Sequence, residues 1–264
     1  MRIHELMTWL VESGGRHVNP EESLFFGEYR RDIHKALVCW MTTQEALRRA
    51  VTESCDLVIC HETVLFPNGA PCHGDTTDYF TWETNRSRMA LIQEGDLCVQ
   101  RVHTMLDRIC IYEDFAKALG LGEPVVNESP ENNNFVKVFE IAPIPFDDLV
   151  KRTKQATGMS HLRVSPEGTG RTVSRIGLPW GGLGLSGHAD YMAQLAKYGC
   201  DAFICGEVDN YAMHFINDSG VLFIETSHEV SENFGLKHFV RLAEERFPEV
   251  TFLFHDVGVP WKTA

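Results

Sequence analysis

The sequence is short of positive charge: 24 lysines and arginines stand against 37 aspartates and glutamates, giving a formal net charge of -13. A field of that sign repels phosphate backbones at long range, which argues against a nucleic-acid scaffold and favours cations. Long apolar runs are also missing. No segment approaches the roughly 20 apolar residues that span a bilayer, so no membrane partner is expected. Met1 to Ser13 is interrupted by His4, Glu5 and Glu12, unlike the apolar core of a secretory signal. The eight cysteines, Cys39, Cys55, Cys60, Cys72, Cys98, Cys110, Cys200 and Cys205, form no C-x-x-C pair, which argues against zinc-finger chemistry. Several lie in apolar runs where a free thiol acts as a small hydrophobe, a usage that suits a reducing cytoplasm.

What is present is an alternation of short apolar runs and amphipathic stretches. Ala36 to Met41 reads as a buried strand, Thr43 to Glu53 as a helix with Ala46, Leu47 and Ala50 on one face, and Leu57 to Cys60 as a second strand. The same grammar returns with a strand over Val173 to Leu178, a helix over His188 to Tyr198 and a strand over Ala202 to Cys205. Both units end alike, Ser54-Cys55-Asp56 before one closing strand and Gly199-Cys200-Asp201 before the other, which reads as a diverged internal repeat. Strands are also expected over Phe135 to Ile141, Val221 to Ile224 and Val250 to Phe254, and helices over Phe146 to Thr157 and Ser231 to Phe247. The fold class is therefore α/β, with two similar lobes of mainly parallel sheet. The polar stretch Asn127 to Asn134 sets the boundary, giving lobes of 1–127 and 128–264 that form one compact unit. Pro67 to Tyr79 is expected to be an exposed loop in which His73, Asp75 and Tyr79 are candidates to cover a site.

Parallel sheets place ligands at the carboxyl ends of their strands. Leu57 to Cys60 runs into His61-Glu62, Cys98 to Val102 into His103 with Asp107 four residues on, and Val221 to Ile224 into Glu225 with His228 and Glu232 beyond. Imidazole and carboxylate together suit zinc, iron or manganese, and carboxylates can bridge two ions. A single histidine after a strand is commonly a turn or cap residue; His228 would then lie near the start of the Ser231 helix, with Glu232 favoured there by the helix dipole. Spacing by itself leaves both readings open. Glu207 and His214 are candidates for acid or base catalysis. Gly182-Leu183-Gly184-Leu185-Ser186-Gly187 matches G-x-G-x-x-G, with Glu207 in reach of a ribose, but Pro179-Trp180 separates it from its strand. A dinucleotide-binding oxidoreductase is thus a minor alternative, and a loop whose amides hold an anion is the plainer one.

Four ordered motifs carry a resemblance. Leu57 to Phe66, the segment Val102-His103-Thr104-Met105-Leu106-Asp107, the strand Ala202 to Cys205 ending in Gly206-Glu207, and Ser227-His228-Glu229-Val230-Ser231-Glu232 together resemble the NGG-interacting factor 3-like family, also called GTP cyclohydrolase I type 2 homologues. The resemblance runs from about residue 33 to 247. It implies a dinuclear metal centre between two α/β lobes, with His61, His103, Asp107, His228 and Glu232 as ligands, and a toroidal homohexamer. Glu62 stands where the family usually has a second histidine, and is carried as a sixth ligand; Ser227 stands where it has glycine. The function expected is a metal-dependent hydrolase acting on a small phosphorylated, nucleotide or cyclic amide substrate with two divalent ions. The alternative is a non-enzymatic protein that stores, delivers or senses iron or zinc.

Overall fold

The computed structural model describes residues 1–14, 22–67, 78–128 and 135–263. Along the chain it forms α1 (Ile3–Gly14), β1 (Leu24–Phe26), β2 (Lys35–Cys39), α2 (Gln44–Thr52), β3 (Leu57–Cys60), α3 (Glu83–Glu94), β4 (Cys98–Arg101), α4 (Thr104–Leu106) and α5 (Tyr112–Ala118). There follow β5 (Val126–Asn127), β6 (Lys137–Pro145), α6 (Phe146–Thr157), β7 (Arg163–Val164), β8 (Thr172–Gly177), α7 (Ala189–Lys197), β9 (Ala202–Cys205), α8 (Asn210–Asp218), β10 (Leu222–Glu225), α9 (His228–Arg246) and β11 (Thr251–His255). Among the described residues no helix is long and apolar enough to cross a membrane.

Two compact units result, one of Met1–Ile111 with Gly235–Val257, the other of Tyr112–Phe234 with Gly258–Ala264. These units are not contiguous in the chain, unlike the division expected at 127/128. The closing strand β11 returns to the first unit and pairs in parallel with β2, Phe252 beside Ala36 and His255 beside Cys39. Apolar periodicity reveals that a strand exists but not which sheet edge it joins, so a chain that returns to its first sheet is invisible to a linear boundary.

The first unit holds a sheet in the order β1-β4-β3-β2-β11, parallel except for β1 on the edge. α2 covers it because Thr43 caps the helix, its Oγ1 accepting from Ala46 N at 3.1 Å, and because Ala46, Leu47 and Ala50 fall on one fully buried face. The second unit holds a sheet in the order β5-β6-β8-β9-β10-β7, whose central strands β8, β9 and β10 run parallel and whose flanks are antiparallel. Tyr191, Met192 and Leu195 give α7 the matching buried face.

The repeat is legible in backbone detail. Asp56 Oδ2 accepts from His34 N and Lys35 N at 2.7 and 3.0 Å, and Asp201 Oδ2 accepts from Ser174 N and Arg175 N, both at 2.8 Å. Each aspartate thus ties the start of its closing strand to the neighbouring parallel strand. Ser54 and Gly199, two residues earlier, both adopt the left-handed conformation. Beyond each strand the next one is joined alike, Cys98 N to Asp56 O and Leu222 N to Asp201 O. One link differs. Residues 40–43 connect β2 to α2, whereas 178–188 connect β8 to α7 through two 3-10 turns, Gly181–Gly184 and Ser186–His188.

Candidate metal centre

In the first unit β3 and β4 are parallel neighbours with Cys60 beside Arg101, so the residues just past their carboxyl ends meet. His61 is fully buried, and its Nδ1 lies 3.2 Å from the carbonyl of Val102. That carbonyl can only accept, so Nδ1 carries the proton and Nε2 is the basic nitrogen. Nε2 stands 3.6 Å from Asp107 Oδ1. The His103 ring stacks on that of His61 with centroids 4.5 Å apart and 14° between planes. Its Nε2 is 3.3 Å from Glu62 Oε1, and its Nδ1 is 3.8 Å from Asp107 Oδ2. His103 immediately precedes α4, and a π turn over Asp107–Ile111 continues the helix, which puts Asp107 on the same side four residues on.

Two residues shape this group that the sequence reading did not single out. Glu22, nearly inaccessible, accepts from His103 N at 3.0 Å and from Met105 N at 3.1 Å, capping α4 from 81 residues away. Burial pushes its carboxyl above the usual range, against those two amides and the nearby imidazoles. Nothing in the sequence marks so distant a cap. Arg101 had a signal: a guanidinium at the end of an apolar strand, 2 % exposed here, is uncommon without a partner.

In the second unit β9 and β10 are parallel neighbours, Cys205 beside Glu225, so Glu207 and His228 meet by the same logic. His228 Nδ1 is 3.2 Å from Glu207 Oε2, and its Nε2 is 3.2 Å from Glu232 Oε1. The helix expected from Ser231 begins three residues earlier, at His228, because Ser227 turns the chain in the left-handed region at φ 76°. That start places His228 and Glu232 one turn apart on one face. Glycine suits such a φ best; Ser227 offsets some strain by donating to Glu229 Oε1 at 2.6 Å. Burial raises the Glu229 carboxyl, with the Ser227 hydroxyl opposing.

The glycine loop closes over these side chains. Gly181 has φ 53°, and a Cβ there would overlap Glu232 Oε1 and crowd His228 Nε2. Its N–H donates to Ser231 Oγ at 2.9 Å, and Ser186 N donates to Asp209 Oδ2 at 2.9 Å. The dinucleotide fingerprint is thereby corrected: no tight strand-to-helix turn forms, and these two amides already have acceptors in the chain. His214 is exposed on α8, and among the described residues no hydrogen bond or ion pair joins it to Glu207 or His228. Of the loop expected over 67–79, residues 68–77, with His73 and Asp75, lie outside the described residues. Tyr79 is buried and not part of an exposed loop.

The donor spacing suits metal. Two donors bound at about 2.0–2.1 Å in tetrahedral geometry stand roughly 3.3 Å apart. The pairs His103–Glu62 at 3.3 Å, His61–Asp107 at 3.6 Å and His228–Glu232 at 3.2 Å fall around that figure. Donor atoms of His61, His103 and Asp107 all lie within 4.8 Å of one another. The Nδ1 contacts of His61 and His228 are of the kind that orient metal-binding imidazoles.

An α/β chain with strand-end groups able to hold a metal is the class defined by this fold and these residues. The chain belongs to the Duf34/NIF3 (NGG1p interacting factor 3) family, whose model matches residues 22–258. It is similar to a Pseudomonas aeruginosa protein named GTP cyclohydrolase 1 type 2 homolog, 24% identical over 231 residues that cover 86% of this chain and 85% of that protein. Among solved structures it resembles protein ybgI, of unknown function, with a TM-score of 0.80 at 20% identity, covering 99% of this chain and 100% of that one. A Bacillus cereus protein related to NIF3 superposes with a TM-score of 0.77 at 12% identity, covering 100% of this chain and 99% of that one.

Proposed function

We propose that the protein is a metal-dependent hydrolase that binds two divalent transition-metal ions, zinc, iron or manganese, through His61, Glu62, His103, Asp107, His228 and Glu232. The observation that carries the reading is the donor spacing in the first group, where donor atoms of two imidazoles and an aspartate converge within 4.8 Å of one another. Here His61 and Asp107 stand 3.6 Å apart, too far for a good hydrogen bond and suited to a shared ion. Bound metals would supply Lewis acidity to an attacked phosphoryl or acyl centre. Glu207 is the chain's proposed proton carrier: it touches His228 and its carboxylate is half exposed, within reach of solvent. His214 has no such contact and is the weaker of the two catalytic candidates.

The names of the relatives direct the first substrate test to GTP and its cyclic amide analogues. Protein purified without chelator should hydrolyse at least one member of a panel of nucleotides, phosphoesters and cyclic amides, and should lose that activity on chelation and regain it on adding metal. One observation favours the alternative, a protein that stores, delivers or senses metal. His61 is fully buried, which shields that donor from a substrate. Absence of turnover across the panel with both ions bound would select it. A homohexamer in a reducing cytoplasm completes the proposal; the assembly rests on the family resemblance, the compartment on seven described cysteines that are buried free thiols. Light scattering after size exclusion should give six chains, and a monomer at micromolar concentration contradicts that assembly.

A further inference from the structure

The first ligand group includes a charge that the metal reading leaves unused. Arg101 ends β4, which lies between antiparallel β1 and parallel β3, with a side chain only 2% exposed. Its Nε donates to the carbonyl of His61 at 3.1 Å, and its Nη2 stands 3.5 Å from Glu62 Oε2. The other oxygen, Oε1, faces His103 Nε2 at 3.3 Å. Glu62 is therefore divided, one oxygen turned to a fixed guanidinium and the other to an imidazole donor.

We infer that Arg101 and Glu62 act as one unit that sets the metal preference of the first group, an inference that rests on the metal reading above. A carboxylate with both oxygens available can chelate, which suits oxygen-preferring ions of higher coordination number such as manganese. With Oε2 turned to Arg101 as its ion-pair partner at 3.5 Å, Oε1 is the oxygen offered, and a single oxygen beside imidazole suits compact four-coordinate zinc. The guanidinium also offsets the negative charge that Glu62 brings to the interior. The two residues are then coupled: histidine in place of Glu62 takes away the carboxylate that faces Arg101 and sets a buried guanidinium beside a metal cation, whereas changing both removes the conflict.

The test is a cycle of wild type, Glu62→His, Arg101→Met and the double variant, with Arg101→Lys as a milder change that retains the charge. Zinc and manganese compete for each protein against a chromogenic chelator. Arg101→Met should lower the zinc-over-manganese ratio about tenfold or more, the scale expected for a residue that holds a ligand, and Arg101→Lys should lower it less. Glu62→His alone should lose an ion or melt earlier, and the double variant should recover. An unchanged ratio in folded Arg101→Met, or in Arg101→Lys if the first does not fold, overturns the inference. Melting of the same proteins in excess chelator reads the pair without metal. Strictly additive shifts overturn the unit. A wild type that takes up neither metal but melts non-additively overturns the metal reading and the preference with it, leaving a structural ion pair.

Discussion

The link from β2 to α2 and the link from β8 to α7 occupy the same place in two repeats, yet the first is residues 40–43 and the second 178–188. Everything around them is matched: the parallel strands, the aspartate that ties them, the buried helix face. The longer link carries Gly181, which lies against Glu232 and His228. The shorter one meets its site through the Trp40 carbonyl, which accepts from His61 N at 3.1 Å and Glu62 N at 2.7 Å, and the first group is shaped further by Glu22 and Arg101. A common scaffold therefore positions strand ends, and each repeat finishes its donors differently, with a stacked histidine pair in one and a histidine flanked by carboxylates in the other.

If the scaffold is shared, equivalent core truncations should be comparable. Leu47→Ala and Leu195→Ala each remove a fully buried side chain, and each should cost about 2–5 kcal/mol in denaturant unfolding. A cost in one helix alone would break the comparison. Next come the tying aspartates. Asp56→Ala and Asp201→Ala each strand two backbone N–H donors, for an expected loss of about 1–3 kcal/mol apiece at neutral pH. Unequal costs would mean that the sequence likeness is not a structural one.

The linkers should differ where the scaffold does not. Gly181→Ala meets both a positive φ and the Glu232 carboxylate, so it should cost about 1 kcal/mol or more and weaken metal binding by the second group. Calorimetric metal titration reads that loss, and wild-type binding in Gly181→Ala would detach the loop from the site. The smallest effect on stability is expected for His228→Ala, which changes a strand-end residue outside the apolar core. It should reduce metal content by at least one ion with melting of the metal-free protein nearly unchanged, and loss of fold would show His228 to be structural.

The α/β class, the βαβ grammar and the strand-end positions of His61, His103, Glu207 and His228 were legible because each follows from apolar runs and the residue after them. The aspartate repeat was visible as a seven-residue likeness, and its two N–H contacts gave it a physical meaning. What could not be read were long-range partners. β11 pairs with β2 across most of the chain, and Glu22 caps α4 from 81 residues away; neither leaves a local pattern. The start of α9 was placed late because a serine in the left-handed region, not a capping side chain, opens the helix. Short edge strands such as β1 and β7, of three and two residues, are too short for periodicity to register.

Elemental analysis of the protein purified without chelator, set against chain concentration, tests the central claim most directly. The account predicts two first-row transition ions per chain, falling to one or none in His61→Ala. A wild type that holds no metal, and takes up neither zinc, manganese nor iron(II) when they are supplied, would contradict it.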